Sequence, residues 1–286
     1  MNGSQRRSSG LSRSFLLLWL GQMLSGLGSG MTAFALGVYT FKGAGTITAF
    51  SLLMFFLVLP SVVLKPLGGY LADRFDRRAL MVLGDMGGAM ATLSLVLLLS
   101  SGDPPLQSLY AVVALCSAFS AIREPAYKAS LTDLVPAEEF LRANGLIQTA
   151  SSVQHLGAPL SAALLLGLTS VRSVLVIDLA SFLLAAMVTL LVATELSGAP
   201  TGETLIQPPG HVGESAYHGS WKVVFENCDV RRIAVIMTLV TLMVGVVQAV
   251  FAPMILSSQT TQVLGGIQST GATVMLISSI AIGSRI

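Results

Sequence analysis

Four ionisable side chains lie within long apolar stretches of this sequence, where a charge is costly unless it has a partner or a function. They are Asp85, Glu124, His155 and Asp178. Residues of this kind are the first candidates for the path of an ion or a polar substrate across a membrane. His155 could exchange a proton near neutral pH, or it could be an interior side chain hydrogen-bonded beside Gln154. Both interpretations stay open on the sequence alone.

The three carboxylates also have structural interpretations. Glu124 follows Arg123 and has Lys128 four residues later, which favours an interfacial ion pair over a coupling role. Asp85 comes seven residues after Arg78, so these two could pair along one helix face. Asp178 could cap or brace a neighbouring helix.

Two further patterns concern how helices would pack. Gln22, Ser25 and Ser29 recur at i, i+3 and i+7, so they form a polar stripe on one helix face that would suit the wall of a cavity. Gly157 and Pro159 flank a single alanine. A proline within a membrane helix frees a backbone carbonyl and permits a bend, so this segment is a candidate hinge or, equally, a simple packing kink.

Charges are concentrated in one short segment, residues 68–78, which reads GGYLADRFDRR. Its candidate functional residues are Gly68, Gly69, Asp73, Arg74, Arg77 and Arg78. The two glycines would let neighbouring helices approach closely. Asp73 has Arg77 four residues later, so they could pair in one conformation and exchange partners in another, as a latch would. The simpler interpretation is a positive loop that only fixes the orientation of the chain.

The elements that position these side chains are predicted to be membrane-spanning helices. The chain has 286 residues, of which 53% are hydrophobic and 10% charged, against about 25% charged residues in soluble domains. A membrane helix needs about 20 predominantly apolar residues. Charge-poor runs of that length predict six spans at Ser14–Phe41, Gly43–Leu64, Ala79–Ser101, Leu106–Ile122, Ala143–Val171 and Ser173–Thr194.

The rest of the chain predicts two more spans. Residues 233–284 carry no charge, are too many for one crossing and are broken by a polar segment. We therefore expect a cytoplasmic tail at 1–14, a six-helix unit at 15–195, a linker rich in proline and glycine at 196–231, and two helices at 232–286. The lead-in to the seventh span is either an interfacial helix or an ordinary helix start.

Basic residues predict the orientation, because cytoplasmic loops are enriched in Lys and Arg. With the N-terminus inside, fourteen of the sixteen lysines and arginines fall at cytoplasmic ends of spans, Arg123 among them. Only Lys42 and Arg172 fall outside. The sequence therefore predicts a multi-pass protein of the inner or plasma membrane with a cytoplasmic N-terminus.

Several classes of function find no support in the sequence. The net charge of +2 is too small to indicate nucleic acid. The two cysteines, Cys116 and Cys228, fit neither a disulfide framework nor a metal site. No phosphate-binding loop or paired-carboxylate site stands out. We therefore expect no enzyme activity, and neither a cofactor, a metal, a nucleotide nor nucleic acid as a partner.

The charged loop has the form G-x-x-x-D-R-x-x-R-R and follows the second predicted span. In both respects it resembles the signature loop of the major facilitator superfamily, except that Asp76 stands where many members have glycine. Further similar segments are LWLGQMLSGLG in span one, REPAYKASLTDLVPAEEFLRANG after span four, LGAPLSAALL in span five and IDLASFLLA in span six. Together they resemble the branch that contains macrolide and siderophore (enterobactin-type) exporters. The resemblance covers essentially the whole chain.

This resemblance implies an all-α helical bundle, here a complete six-helix first half and two helices of the second half. It implies that the charged loop holds the outward-open state, and that spans one and four line a cavity in which Gln22 contacts substrate. Transport would be proton-driven efflux of a lipophilic small molecule, such as a drug or siderophore, by alternating access across the lipid bilayer. Because the family's last four spans are not in this sequence, we expect a fragment of a longer chain or a pore completed by another polypeptide. The alternative function is a transport-incompetent truncated protein or an assembly partner.

Overall fold

The computed structural model describes residues 11–102, 104–196 and 228–270, and over these residues it consists of helices and short turns without a strand. The helices are α1 (Arg13–Ala44), α2 (Ile47–Arg74), α3 (Arg77–Ser100), α4 (Leu106–Leu134), α5 (Phe140–Leu168), α6 (Val171–Leu196) and α7 (Cys228–Ser258). Residues 261–270 are also helical and are called α8 here. The predicted all-α helical bundle is therefore confirmed. The greater part of the predicted linker lies outside the described residues.

Four of these helices are long and apolar enough to cross a membrane. They are α2, α3, α4 as far as Leu131 and α6 as far as Val192. Large apolar side chains such as Val63, Met90 and Leu97 are more than 60% exposed on the outside of the bundle, as lipid-facing side chains would be. The chain is thus a multi-pass helical membrane protein.

The turn between α1 and α2 follows from two capping residues. Gly45 ends α1 in the left-handed conformation, with φ of 64°, and its N–H donates to the carbonyl of Phe41. A residue with a side chain rarely adopts this conformation, which explains the glycine. Thr46 then caps α2 by accepting a hydrogen bond from the N–H of Ala49 at 3.4 Å. The turn thus consists of Gly45 and Thr46, because Gly43 and Ala44 still belong to α1.

The predicted end of the second span at Leu64 is wrong, because α2 continues through Lys65 and Pro66 to Arg74. Lys65 remains inside the helix because its Nζ pairs with a carboxylate oxygen of Glu124 on α4, 2.8 Å away. The next helix starts directly afterwards. Asp76 caps α3 by accepting from the N–H of Arg78 at 3.0 Å, so the aspartate in the glycine position forms a helix cap.

The first six helices pack around one core. The largest helix contacts pair α2 with α4, α3 with α4 and α6, and α1 with α5 and α6. Apolar side chains fill the core near the α1–α2 turn, among them Leu36, Leu53 and Leu95. A second apolar cluster near the α2–α3 loop includes Leu80 and Met81. Along α3, the polar side chains described below lie between these two clusters.

The helices α7 and α8 pack against α2 and α5. Phe50 of α2 forms an apolar cluster with Ala252 and Ile255 of α7 and Leu264 of α8. Gly265 allows α8 to approach α5 closely, because a Cβ there would lie 2.9 Å from the carbonyl oxygen of Pro159. The candidate hinge of α5 therefore lies at the crossing of α5 and α8.

Candidate functional site

A buried group of charged and polar side chains, the Asp85 cluster, connects α1, α3 and α4. It consists of Gln22, Ser25, Asp85 and Arg123. The Asp85 side chain has no exposed surface, and its Oδ2 accepts from Nε2 of Gln22 at 3.0 Å. One terminal nitrogen of Arg123 lies 3.1 Å from Oδ1 of Asp85 and donates to Oγ of Ser25 at 2.8 Å. The cluster is thus an ion pair whose two members each hold α1 by one further hydrogen bond.

Arg123 reaches this position because glycines on α3 leave room for side chains of α4. A Cβ at Gly84 would lie 2.6 Å from Cβ of Arg123, and a Cβ at Gly87 would overlap the ring of Phe119, one turn earlier on α4. The guanidinium also lies over the ring of Phe182 of α6, 5.4 Å from its centroid, at a distance typical of a cation–π contact. Gly84 and Gly87, which flank the turn of α3 that carries Asp85, are thus the signal in the sequence that large side chains of a neighbouring helix pack there.

A second carboxylate, Asp178 of α6, faces the next part of α1 and is only 1% exposed. Thr32 donates to its Oδ2 at 2.8 Å, and Ser29 donates to its Oδ1 at 3.3 Å. Ser181 lies on the same helix, with Oγ 3.5 Å from Oδ1 and 2.7 Å from the backbone oxygen of Asp178. Gly28 closes the group, because a Cβ there would lie 2.8 Å from Oδ1. We call these five residues the Asp178 cluster.

The predicted polar stripe of α1 is confirmed as one helix face, and Thr32 extends it by one turn. The expectation that the stripe lines a cavity is not met in this conformation, because Gln22 is 9% exposed and Ser25 is completely buried. The stripe packs against α3, α4 and α6 because carboxylates and a guanidinium on those helices need hydrogen-bond partners in the core. Its first half therefore belongs to the Asp85 cluster and its second half to the Asp178 cluster.

Two predictions about charged residues are wrong. Asp85 pairs with Arg123 and not with Arg78. Arg123 does not lie at the end of a span, since its side chain is 13% exposed and its position is about 16 Å along α4 from the last residue, Leu134. Both differences have one physical reason: the partner of a buried charge can lie on another helix, and neither helical spacing nor the distribution of charges along the sequence indicates that partner.

The other ionisable candidates lie at the periphery of the bundle. Glu124 pairs with Lys65 at 2.8 Å and with Lys128 at 2.7 Å, which confirms the predicted ion pair with Lys128. Gln154 donates to the carbonyl of Met23 at 3.3 Å and so connects α5 to α1. His155 is exposed on α5, so its interpretation as an interior side chain is wrong.

The charged loop connects α2, α3 and α4. Arg77 lies 3.1 Å from both carboxylate oxygens of Asp133 and donates to the carbonyl of Ala129 at 2.8 Å. The guanidinium of Arg74 lies over the ring of Tyr70, 4.6 Å from its centroid. Asp73 is exposed, and its exchange of partners with Arg77 stays a prediction.

The two glycines of this loop differ in their packing. A Cβ at Gly68 would overlap the carbonyl oxygen of Ala121, so the predicted close approach of helices is confirmed there. A Cβ at Gly69 would meet no atom of the described residues within 4 Å, so the prediction is wrong for this position. On α5, a Cβ at Gly157 would lie 3.2 Å from Leu27 of α1.

Comparison with known proteins connects this bundle to a family of transporters. Residues 18–286 match the family model described as Major Facilitator Superfamily. The Uncharacterized MFS-type transporter YfiS of Bacillus subtilis (strain 168) is 29% identical over 177 residues, which are 62% of this chain and 41% of that protein. Macrolide efflux protein A of Streptococcus pyogenes is 27% identical over 173 residues, which are 60% of this chain and 43% of that protein. The protein of the same name from Enterococcus faecalis is 29% identical over 150 residues, or 52% and 46% of the two chains. The chain thus spans less than half the length of the curated relatives it matches.

Proposed function

We propose that this chain, which belongs to the Major Facilitator Superfamily, acts in the efflux of a lipophilic small molecule across the membrane, driven by protons through alternating access. The observation that carries this proposal is the Asp85 cluster, an ion pair buried among membrane-spanning helices. The substrate class is drug-like or siderophore-like, and two of the relatives bear the name of macrolide efflux proteins. The proposal excludes enzyme activity.

The physical argument starts from the cost of the ion pair. Removing two charges from water is expensive, and their attraction in the interior often only offsets that cost, so apolar side chains of similar volume would serve stability as well. Asp85 and Arg123 lie where such side chains could pack, between two apolar clusters. Ionisable residues in this setting are typical of ion and substrate pathways. The pair therefore supports a transport role better than a purely structural one.

The remaining site residues take roles consistent with this proposal. When the cavity opens, the side chains of Gln22 and Ser25 leave Asp85 and Arg123 and contact the substrate. Both can do so in one movement because both lie on α1. The charged loop stabilises one of the two access states through Arg77 and its partners on α4. The N-terminus lies in the cytoplasm, on the side where most basic residues cluster.

The test is macrolide transport into proteoliposomes that contain the purified full chain. We expect uptake of a labelled macrolide when the lumen is acidic, and loss of this uptake when a protonophore collapses the gradient. Arg123→Gln should reduce the rate about tenfold or more, which corresponds to ~1.4 kcal/mol in the transport barrier. Arg172→Gln is the matched control, because Arg172 is exposed at the start of α6, and it should transport like the wild type.

The second candidate function, a transport-incompetent membrane protein or assembly partner, makes the opposite prediction. The chain would then insert normally and show no flux of any tested macrolide, with or without a gradient. Flux that persists unchanged in Arg123→Gln would contradict the role of the Asp85 cluster while leaving efflux itself intact.

A further inference from the structure

We propose that Asp178 is the residue that binds and releases the coupled proton, while the Asp85–Arg123 pair keeps its charges throughout the cycle. This inference rests on the proposed proton-driven function and assigns its proton site. Of the two buried carboxylates in the described residues, one is neutralised by a cation and the other by a proton.

The geometry of the two carboxylates carries this division. Asp85 lies 3.1 Å from a guanidinium nitrogen, whereas none of the ion pairs in the described part of the chain includes Asp178. The side chains that reach Asp178 are the hydroxyl groups of Ser29, Thr32 and Ser181, which are neutral. A carboxylate that is 1% exposed and has only neutral donors has no countercharge in direct contact, and protonation removes the cost of its buried charge.

Within residues 11–102, 104–196 and 228–270, no other charged group near Asp178 is free to take over this role. On α1, residues 14–41 carry no charge, and on α3 and α4 the nearby groups are Asp85 and Arg123, which bind each other. The free cysteine on α4, Cys116, has a thiol that never becomes a cation, so it cannot act as a countercharge for Asp178. On α5 the titratable side chain in the spanning segment is His155, which is exposed.

The same distances favour a proton over a metal ion. Thr32 Oγ1 is 2.8 Å from Oδ2, which is a direct hydrogen-bond distance and leaves no space for an ion between the two oxygens. A protonated carboxyl can donate its O–H to one of these hydroxyl oxygens and accept from the others, so the present arrangement satisfies the protonated form.

Release of the proton is then coupled to movement of α1. The reaction is the dissociation of the carboxyl O–H into a carboxylate and a proton that passes to water, so water must reach Asp178. Gly28 of α1 packs directly against this group, so a separation of α1 from α6 would expose Asp178 to water. In the proposed cycle, this opening is the step that allows proton release.

The experiment measures the protonated carboxyl group directly by infrared spectroscopy of the full chain in lipid nanodiscs. We expect a carboxyl C=O band in the wild type that is present at acidic pH and diminishes as the pH is raised, because deprotonation removes the carboxyl O–H. Asp178→Asn should remove this band, and Asp85→Asn should retain it. Thr32→Val keeps the carboxyl group and removes one hydroxyl bond, so the band should persist at a higher frequency.

Each other outcome has a definite meaning. Loss of the band in Asp85→Asn with retention in Asp178→Asn would overturn the assignment, as would the absence of any titrating band in a wild type that transports. If Asp178→Asn does not fold, an unchanged band in Thr32→Val overturns it. A band that responds to NaCl but not to choline chloride at constant pH would identify a sodium site. Failure of macrolide transport with an intact titrating band would contradict macrolide efflux, while Asp178 would remain a group that binds and releases a proton.

Discussion

We predict that the charges of Asp85 and Arg123 are coupled in their effect on stability. Removing both charges should lower the free energy of unfolding by less than the sum of the two single removals. The perturbation is a double-mutant cycle of Asp85→Asn, Arg123→Gln and the combined variant. In the wild type the two side chains are 3.1 Å apart, with 0% and 13% exposure. Each single variant leaves a buried charge without its partner, and the combined variant leaves none.

The magnitudes follow from the contacts that each change removes. Arg123→Gln should cost about 4 kcal/mol, of which ~3 kcal/mol comes from the unpaired Asp85 and ~1 kcal/mol from the lost bond to Ser25. Asp85→Asn should cost about 2 kcal/mol, because Arg123 keeps Ser25 and Phe182 and is partly exposed. The combined variant should lower the free energy of unfolding by about 3 kcal/mol. If the two changes acted independently, the loss would be ~6 kcal/mol.

The assay is reversible unfolding of the purified protein in mixed detergent micelles, followed by circular dichroism of the helices. Arg172→Gln, at an exposed site, should change the free energy of unfolding by less than about 0.5 kcal/mol. The reasoning fails if the two single changes add to the combined one within about 0.5 kcal/mol, since that result means that the two groups do not interact.

Three further changes test the packing of the bundle, each by thermal unfolding in detergent. Gly68→Ala should destabilise the protein by about 1 to 3 kcal/mol because its Cβ meets the α4 backbone. Gly69→Ala, whose Cβ meets open space, should be neutral or stabilising by up to ~1 kcal/mol. Equal effects of the two changes would contradict the close α2–α4 contact. Glu124→Gln should cost no more than about 1 kcal/mol because its ion pairs are 39% to 60% exposed, and a larger loss would show that the pairs are buried. Gly28→Ala should destabilise by about 1 to 3 kcal/mol through Asp178, and Gly43→Ala should not; a tolerated Gly28→Ala would place α1 further from α6.

The helices of this protein can be predicted from its sequence because a membrane span needs a long run without charges, and such runs are easy to recognise. The ends of the helices are less predictable. Lys65 marked the end of the second span in the sequence, yet α2 continues past it because Glu124 on another helix pairs with its ammonium group. A charge ends a span only when no partner lies on a neighbouring helix, and the spacing of residues does not contain that information.

The same limit explains which part of the candidate site was predicted. The stripe of Gln22, Ser25 and Ser29 follows from helical periodicity within one element, so it could be recognised directly. The partners of the stripe could not, since Arg123 is separated from Asp85 by 38 residues and from Ser25 by 98. Spacing rules identify pairs on one helix face. They therefore predict that Arg78 pairs with Asp85, and they miss the Arg123 partner on another helix.

The position of α1 between the two carboxylates gives the bundle a way to couple them. Ser25 and Ser29 are one turn apart, about 6 Å along the helix, and one binds the Asp85–Arg123 pair while the other binds Asp178. Hydrogen bonds weaken steeply beyond about 3.5 Å, so a shift of α1 by even a fraction of a turn breaks contacts at both carboxylates at once. Asp85 then still has the Arg123 guanidinium, whereas Asp178 loses two of its three hydroxyl donors and gains access to water. If Asp178 is the proton site as proposed, a single movement of α1 would change its protonation without separating the ion pair, as a proton-coupled cycle would require.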